Sequence, residues 1–263
     1  MSELPDGPLP AAATGRFARA ALFADVHGNA WALRAAVADA QRSGVDAHFH
    51  LGCLTWGPRP REVLEIAAGS PVPTFFLRGN GDRAAWEMAG GRRPAARAVD
   101  AWMVEAHGPE VIEAIAGWPV ALVTEIDDLG QVRLCHGSPR SDLELLTPDT
   151  PAGRVAAACQ GVAETTVVHG HTHLQYQRTI AEKRLAGCGS VGLPYTTEPG
   201  YAYWSLVDAF GIHGRRTPYD VNQAVTEVRA SDYPDAERFA KTLFRPPTPA
   251  EIIADAHVRE FAD

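Results

Sequence analysis

A chain of 263 residues with a formal charge of -8 and 46% hydrophobic residues has an ordinary globular composition, enough for one large domain or one domain with a small appendage. The acidic balance offers no global field for nucleic-acid phosphates, which need clustered Lys and Arg, so bulk nucleic-acid binding is disfavoured. No apolar run reaches membrane-spanning length, and Cys53, Cys135, Cys159 and Cys188 form no Cys-x-x-Cys pair, which excludes a zinc ribbon and leaves reduced thiols in a cytoplasmic protein as the expectation.

Residues 1–15 carry acids and prolines without a basic start or an apolar core, so they read as a disordered tail rather than a signal peptide. The main domain is expected over 16–219, with a helical segment over 220–263 packed on it. RFARAALFA reads as a buried strand and WALRAAVADAQRSG from Trp31 as a helix with a glycine C-cap at Gly44. AHFHLG, PREVLEIAA and VPTFFLRG continue as strand, helix and strand. That order signals an α/β sheet whose working loops sit at the carboxyl ends of its strands.

From Arg83 to Trp118 the pattern is mostly helical, with a break at Gly90-Gly91. VALVTEI and QVRLCHG, joined by DDLG, predict a hairpin. TTVVHGHTH is a short strand ending in histidines. LQYQRTI and KRLAGCG make a second hairpin turning at Ala181-Glu182, and YAYWSLVD is a further strand. After Asp220 the text is helical, in NQAVTEVRA, DAERFAKTLF and PAEIIADAHVREFA.

The strand ends carry the chemistry. In order they present Asp25-Val26-His27, Gly52-Cys53, Gly79-Asn80, His136-Gly137 and His169-Gly170-His171-Thr172-His173. Residues one apart, Asp25 with His27 and His171 with His173, can face the same side of an extended backbone. Taken singly, an Asp-x-His or a Gly-Asn is a common turn. Three histidines in five residues are harder to place in a core or on a solvated surface. Together these loops would supply a carboxylate, imidazoles, an amide oxygen and a thiolate, a set suited to first-row transition metals rather than calcium.

These motifs, in this order, resemble those of the calcineurin-like metallophosphoesterase superfamily, nearest to its small prokaryotic phosphodiesterase and phosphatase branch. WGPRPREVLEIA, LCHGSPR and GSVGLPYTTEPGYAYWSLVD add to the likeness, which runs from about Arg16 to Asp208. The resemblance implies an α/β fold, a two-sheet β-sandwich flanked by helices in four layers, with a dinuclear metal site at the strand ends. It implies one ion on Asp25, His27 and His173, and another on Asn80, His136 and His171. The family's bridging ligand is an Asp at the position held here by Cys53. A thiolate can take that place: two ions about 2.3 Å from one sulfur would sit about 3.6 Å apart, within the usual two-metal range. It would favour zinc or iron, with manganese as the harder alternative. The other readings of Cys53 are a small buried filler and a nucleophile.

A second departure is Gly81, where many members have a histidine that protonates the leaving group; Asp82 beside it is a candidate supporting residue. The implied activity is hydrolysis of a small or nucleotide-like phosphomonoester or phosphodiester by a metal-bound hydroxide. Arg59, Arg61, Arg83 and Arg140 lie on rim loops and are candidates for gripping a phosphate. Two other classes stay open: a catalytically lapsed binding or regulatory protein on the same fold, and a protein phosphatase.

Overall fold

Two sheets carry the strands of the computed structural model, which describes residues 7–259 and 261. One sheet contains β2 (Arg19–Phe23), β3 (Ala47–Leu51), β4 (Thr74–Leu77), β10 (Tyr201–Asp208) and β11 (Gly211–Pro218), in the order β11-β10-β2-β3-β4. The other contains β1 (Ala12–Phe17), β5 (Ala121–Ile126), β6 (Gly130–Cys135), β7 (Thr166–His169), β8 (Gln175–Ile180) and β9 (Lys183–Cys188), in the order β1-β5-β6-β7-β9-β8. Inward residues of the two sheets meet in one core: Ala20, Leu22, Phe49, Leu51 and Leu77 from the first, Leu122, Leu134, Val168 and Ala186 from the second.

The outer faces are covered too. Helices α1 (Ala30–Arg42) and α2 (Pro60–Ala68) lie over Ala21, Phe23 and Trp204. Helix α5 (Ala152–Ala158) packs Val155 and Ala158 over Val167 and Leu185. The result is the four-layer sandwich expected from the resemblance. Because β2 is buried on both faces, it reads as a continuous apolar run rather than an alternating one. Parallel pairing of β2 with β3 and of β3 with β4 aligns their carboxyl ends. The β6–β7 pair does the same in the second sheet.

Helices α3 (Asn80–Ala89) and α4 (Ala98–Gly117) fill the stretch read as helical, and α4 carries a second break at Gly108, whose φ of 66° precedes Pro109. Proline cannot donate its backbone nitrogen inside a helix, so the chain bends there. After the sandwich, α6 (Val221–Arg229) and α7 (Ala236–Phe244) pack Val225, Val228, Phe239 and Leu243 with Val99 and Met103 of α4. Beyond them lies α8 (Pro249–Val258), whose Ala256 packs with Leu145. Among the described residues no helix is long and apolar enough to cross a membrane.

Three local readings are corrected. Residues 1–6 of the expected tail lie outside the described residues, but Ala12–Gly15 belong to β1, which pairs in parallel with β5. That pairing uses backbone groups, so a stretch of Ala, Thr and Gly gives no side-chain signal for it. The strand read from Arg16 begins at Arg19, because the Asp46 carboxylate accepts from the N–H groups of Ala18 and Arg19 at 2.9 and 3.1 Å and separates β1 from β2. Strand β11 and helix α5 were not expected; GIHGRRTP has no alternation, and α5 spans 7 residues.

The outward face of β3 holds two histidines that are not among the candidate ligands. His50 stacks on Phe76 at 5.1 Å, its ring nitrogens have no hydrogen-bond partner, and His48 lies edge-on to Phe23 at 5.3 Å. Burial pushes His48 and His107 down to about 4 and His50 to about 3. In the unfolded chain they titrate near about 6.5. As pH falls below that value the unfolded state takes up protons that the folded state refuses, so stability present at neutral pH is lost toward pH 4. Urea unfolding in the presence of chelator should show this loss, and His50→Leu should make it shallower. An unfolding midpoint that is flat across this window would contradict the burial argument.

Candidate metal centre

The seven candidate ligands follow strand ends from both sheets. Asp25 and His27 lie just past β2, Cys53 past β3, Asn80 at the first position of α3, His136 past β6, and His171 and His173 past β7. Backbone bonds run on beyond the strands proper: Asp25 N–H to Gly52 O at 3.1 Å, His27 N–H to Cys53 O at 2.9 Å, and Gly170 N–H to His136 O at 2.8 Å. These stitches draw the loops together over the seam between the sheets.

The backbone there is not extended as the sequence reading supposed. Asp25, His27, Cys53, His171 and His173 have φ of 52°, 49°, 50°, 64° and 56°, five of the nine non-glycine residues with positive φ among those described. An L-residue in this region costs of order 1–2 kcal/mol. Strain of that kind persists where surrounding contacts over-determine it, and its concentration on candidate ligands marks a functional site. Gly52 answers a different need. With φ at 86°, a Cβ there would come within 2.6 Å of Gly79 backbone and 2.7 Å of His136 Nδ1.

The donor atoms form two adjoining groups. In one, His27 Nε2 and His173 Nε2 are 3.2 Å apart, and Asp25 Oδ1 lies 3.9 and 3.5 Å from them. In the other, Cys53 Sγ is 3.2 Å from both Asn80 Oδ1 and His136 Nε2, which are 2.9 Å from each other. Asp25 Oδ1 also lies 3.9 Å from His136 Nε2, placing it between the groups. The His171 ring is 5.0 Å from that of His136, and the His171 N–H donates to Asp25 Oδ2 at 2.8 Å.

The hydrogen bonds decide the tautomers. His27 Nδ1 faces Trp56 O at 3.1 Å, His136 Nδ1 faces Leu51 O at 2.7 Å, and His173 Nδ1 faces Leu193 O at 2.6 Å. A carbonyl only accepts, so each Nδ1 carries the hydrogen and each Nε2 presents a lone pair. Lone pairs of His27 and His173 held at 3.2 Å repel each other unless a cation lies between them. Two nitrogens on one tetrahedral zinc-like ion stand about 3.3 Å apart. Asp25 Oδ1 supports the same reading, since it is a buried acceptor with no hydrogen-bond partner, an arrangement that costs free energy without a cation.

Burial pushes the imidazole of His27 down to about 4 and those of His136 and His173 well below their ordinary value, the neighbouring histidines adding to the effect. These rings are therefore neutral ligands with no proton to displace. Burial pushes the Asp25 carboxyl and the Cys53 thiol well above their usual ranges. An adjacent divalent cation reverses that preference. The donors present fit divalent metal ions.

Other candidates sit elsewhere. Asp82 is buried under the site; its carboxylate accepts from Gly79 N–H at 3.1 Å, Thr55 N–H at 3.2 Å and Thr55 Oγ1 at 2.9 Å, tying the Cys53 loop to the start of α3. His107 joins this network through Thr55 Oγ1 at 2.9 Å, and neither it nor His50 lines the site cavity. Arg83 lines the cavity with its guanidinium held by Asp142 and Glu87. Arg59 pairs with Glu62 and Glu227, Arg61 donates to Ala106 O, and Arg140 pairs with Glu144, all three outside the cavity lining. The helical segment after Asp220 was expected to wall the site, but the sequence reading singled out none of the residues that do so. The cavity, about 780 Å³, is bounded by Trp56, Tyr195, Tyr233, Arg238, Phe239 and Ile252 among others. Tyr195 stacks on the His173 ring at 4.5 Å.

Residues 19–209 match the family model for the calcineurin-like phosphoesterase superfamily domain. The chain belongs to that superfamily. It is a metallophosphoesterase, a phosphoric ester hydrolase whose family works with divalent metal ions. No curated protein matches it. Among solved structures it is similar to a hypothetical protein from Pyrococcus horikoshii OT3, at 21% identity and TM-score 0.74, covering 87% of this chain and 97% of that one. It is also similar to a metallophosphoesterase from Sphaerobacter thermophilus, at 24% identity and TM-score 0.69, covering 86% and 98%. At these identities the likeness speaks for the fold. The metallophosphoesterase domain match ends at residue 209, so α6 lies beyond it, as do α7, which supplies Arg238 and Phe239 to the cavity, and α8, which supplies Ile252.

Proposed function

We propose that this metallophosphoesterase hydrolyses a small phosphomonoester or phosphodiester at a two-ion centre. Asp25, His27 and His173 would hold one ion, Asn80, His136 and His171 the other, with the Cys53 thiolate shared between them. The observation that carries this reading is the pair of bare Nε2 lone pairs on His27 and His173, 3.2 Å apart beside the unpartnered Asp25 Oδ1. Ions bound there would lower the pKa of water and neutralise charge on the phosphoryl oxygens. The chain's own part is to fix the donors. Carbonyls of Trp56, Leu51 and Leu193 orient three imidazoles, and Gly81 N–H donates to Cys53 Sγ at 3.3 Å, favouring the thiolate. A thiolate among the donors makes zinc or iron the preferred metal, with manganese second.

The recessed cavity supports a small substrate. A protein phosphatase would present a broad groove, whereas here α7 and α8 wall the ligands on one side. The complete donor set speaks against a lapsed scaffold. The test is hydrolysis of an aryl phosphodiester by protein loaded with zinc, iron or manganese, beside chelated protein. No metal-dependent turnover of any mono- or diester would leave the scaffold reading standing.

Position 81 has no imidazole, and the buried Asp82 carboxylate is fully engaged by Gly79 and Thr55. We therefore expect the rate to depend steeply on the acidity of the leaving alcohol, aryl esters outrunning alkyl esters by at least about a hundredfold, the usual worth of a general acid. A series of substituted phenyl and alkyl esters, measured where chemistry limits the rate, reads this directly. A flat series would mean that another group supplies the proton.

A further inference from the structure

Gly81 lies in the first turn of α3 without a positive φ, so its backbone does not require glycine, and glycine inside a helix costs about 0.5–1 kcal/mol against alanine. Space requires it instead. A Cβ built there would stand 3.1 Å from Trp56 Cβ, 3.2 Å from Cys53 Sγ and 3.5 Å from Trp56 Cγ. The Cβ of Trp56 and the sulfur of Cys53 thus press on the place that a side chain at 81 would need, and the Trp56 indole begins at contact distance beside it.

The tryptophans elsewhere all have partners. Guanidinium groups cover Trp31 and Trp86 at 4.4 and 3.8 Å, Trp102 meets Tyr233 at 5.1 Å, Trp118 stacks with Phe76 at 5.2 Å, and Trp204 faces Phe23 at 5.7 Å. Among the described residues no ring or guanidinium meets Trp56, which is half-buried against the α4–α7 cluster and lines the metal cavity beside Cys53, Asn80 and Gly81. The part of a half-buried indole that lines a cavity is a flat apolar surface on which an aromatic group can stack.

Resting on the hydrolase reading above, we propose that Trp56 is the specificity-determining residue of this site, stacking a flat aromatic leaving group of the phosphoester beside the metal ligands. The missing acid at 81 and the open indole at 56 then belong together. The glycine that makes room for Trp56 removes the acid, and an aromatic alcohol, acidic enough to leave with little proton donation, does not need one. The Trp56 side chain selects the substrate, while its carbonyl orients His27 in any variant that keeps the backbone.

The test is calorimetric binding to the metal-loaded protein of benzylphosphonate, with a methylene in place of the ester oxygen, and of ethylphosphonate. Binding needs no turnover, so a protein that prefers the aromatic ligand yet hydrolyses nothing tells against the hydrolase reading alone. The parent should prefer benzylphosphonate by roughly tenfold, the upper worth of one aromatic stacking contact. Trp56→Phe should keep most of that preference and Trp56→Ala should lose it, with ethylphosphonate affinity and metal content unchanged; the thermal midpoint of Trp56→Ala should fall, because the Trp56 ring packs on the α4–α7 cluster. In turnover, Trp56→Ala should raise KM for phenyl esters more than it lowers kcat. Equal binding of the two ligands by the parent, or an unchanged preference in Trp56→Ala, would overturn the proposal. Gly81→His gives an independent reading: alone it should weaken benzylphosphonate binding by displacing the indole, and full retention of the preference would count against the crowding on which the proposal stands.

Discussion

His136→Ala and His171→Ala are each expected to lose bound metal and hydrolysis together, by roughly a hundredfold or more, since even supporting residues of metal sites cost 10–100-fold. The His136 Nε2 lone pair lies 2.9 Å from Asn80 Oδ1 and 3.2 Å from Cys53 Sγ, with its other nitrogen committed to Leu51 O. The His171 ring neighbours it at 5.0 Å. Removing either leaves an incomplete donor set. Elemental analysis per chain, read beside the rate on an aryl phosphodiester, is the measurement. His169 is the internal control from the same HGHTH run. Its ring faces Gly170 O and Tyr176 OH, both at 2.9 Å, so His169→Gln should keep both ions. Full metal content and activity in His136→Ala or His171→Ala would remove that histidine from the centre.

Replacing Cys53 should change which metal the protein prefers. Cys53→Asp would put a hard carboxylate where the thiolate stands, so the variant should retain two ions, shift toward manganese and keep or gain activity. Cys53→Ala should hold one ion instead of two, because two cations a few ångströms apart with no shared anion repel strongly in a poorly screened site. The parent should lose activity on thiol oxidation, and the alanine variant's residual activity should be insensitive to it. Stoichiometry and rates in Cys53→Ala identical to the parent's would show that Cys53 is a small buried side chain and nothing more.

Most strands were legible because their composition reports burial directly. RAALF and AHFHL face helices on one side and the second sheet on the other, so nearly every residue is apolar or tightly packed. The 180–183 hairpin was legible because its turn at Ala181 and Glu182 separates the alternating run QYQRTI from the buried run that ends KRLAGC. Strand β1 and helix α5 were not. The first is held by backbone pairing at a sheet edge, and the second is a 7-residue helix laid over Val167 and Leu185. Neither leaves a periodic pattern in its own residues.

The candidate ligands could be read from order alone, because strands paired in parallel bring their carboxyl ends to one edge and whatever follows each strand arrives there. The resemblance already set His171 and His173 apart from His169, and the fold gives the physical reason: His169 still belongs to β7, and left-handed turns at His171 and His173 bring those rings round. The arginines show the opposite case. A guanidinium's role depends on which carboxylates reach it: Glu62 and Glu144 lie within a turn of Arg59 and Arg140, but Glu227 reaches Arg59 and Asp142 reaches Arg83 from far along the chain. Trp56 shows it most clearly. In sequence it is one more tryptophan in a proline-rich loop, and its meaning depends on a glycine 25 positions later whose missing side chain leaves it room. Local order along the chain is enough to name the chemistry of the strand ends; contact between distant segments is needed to say which side chains are free to use it.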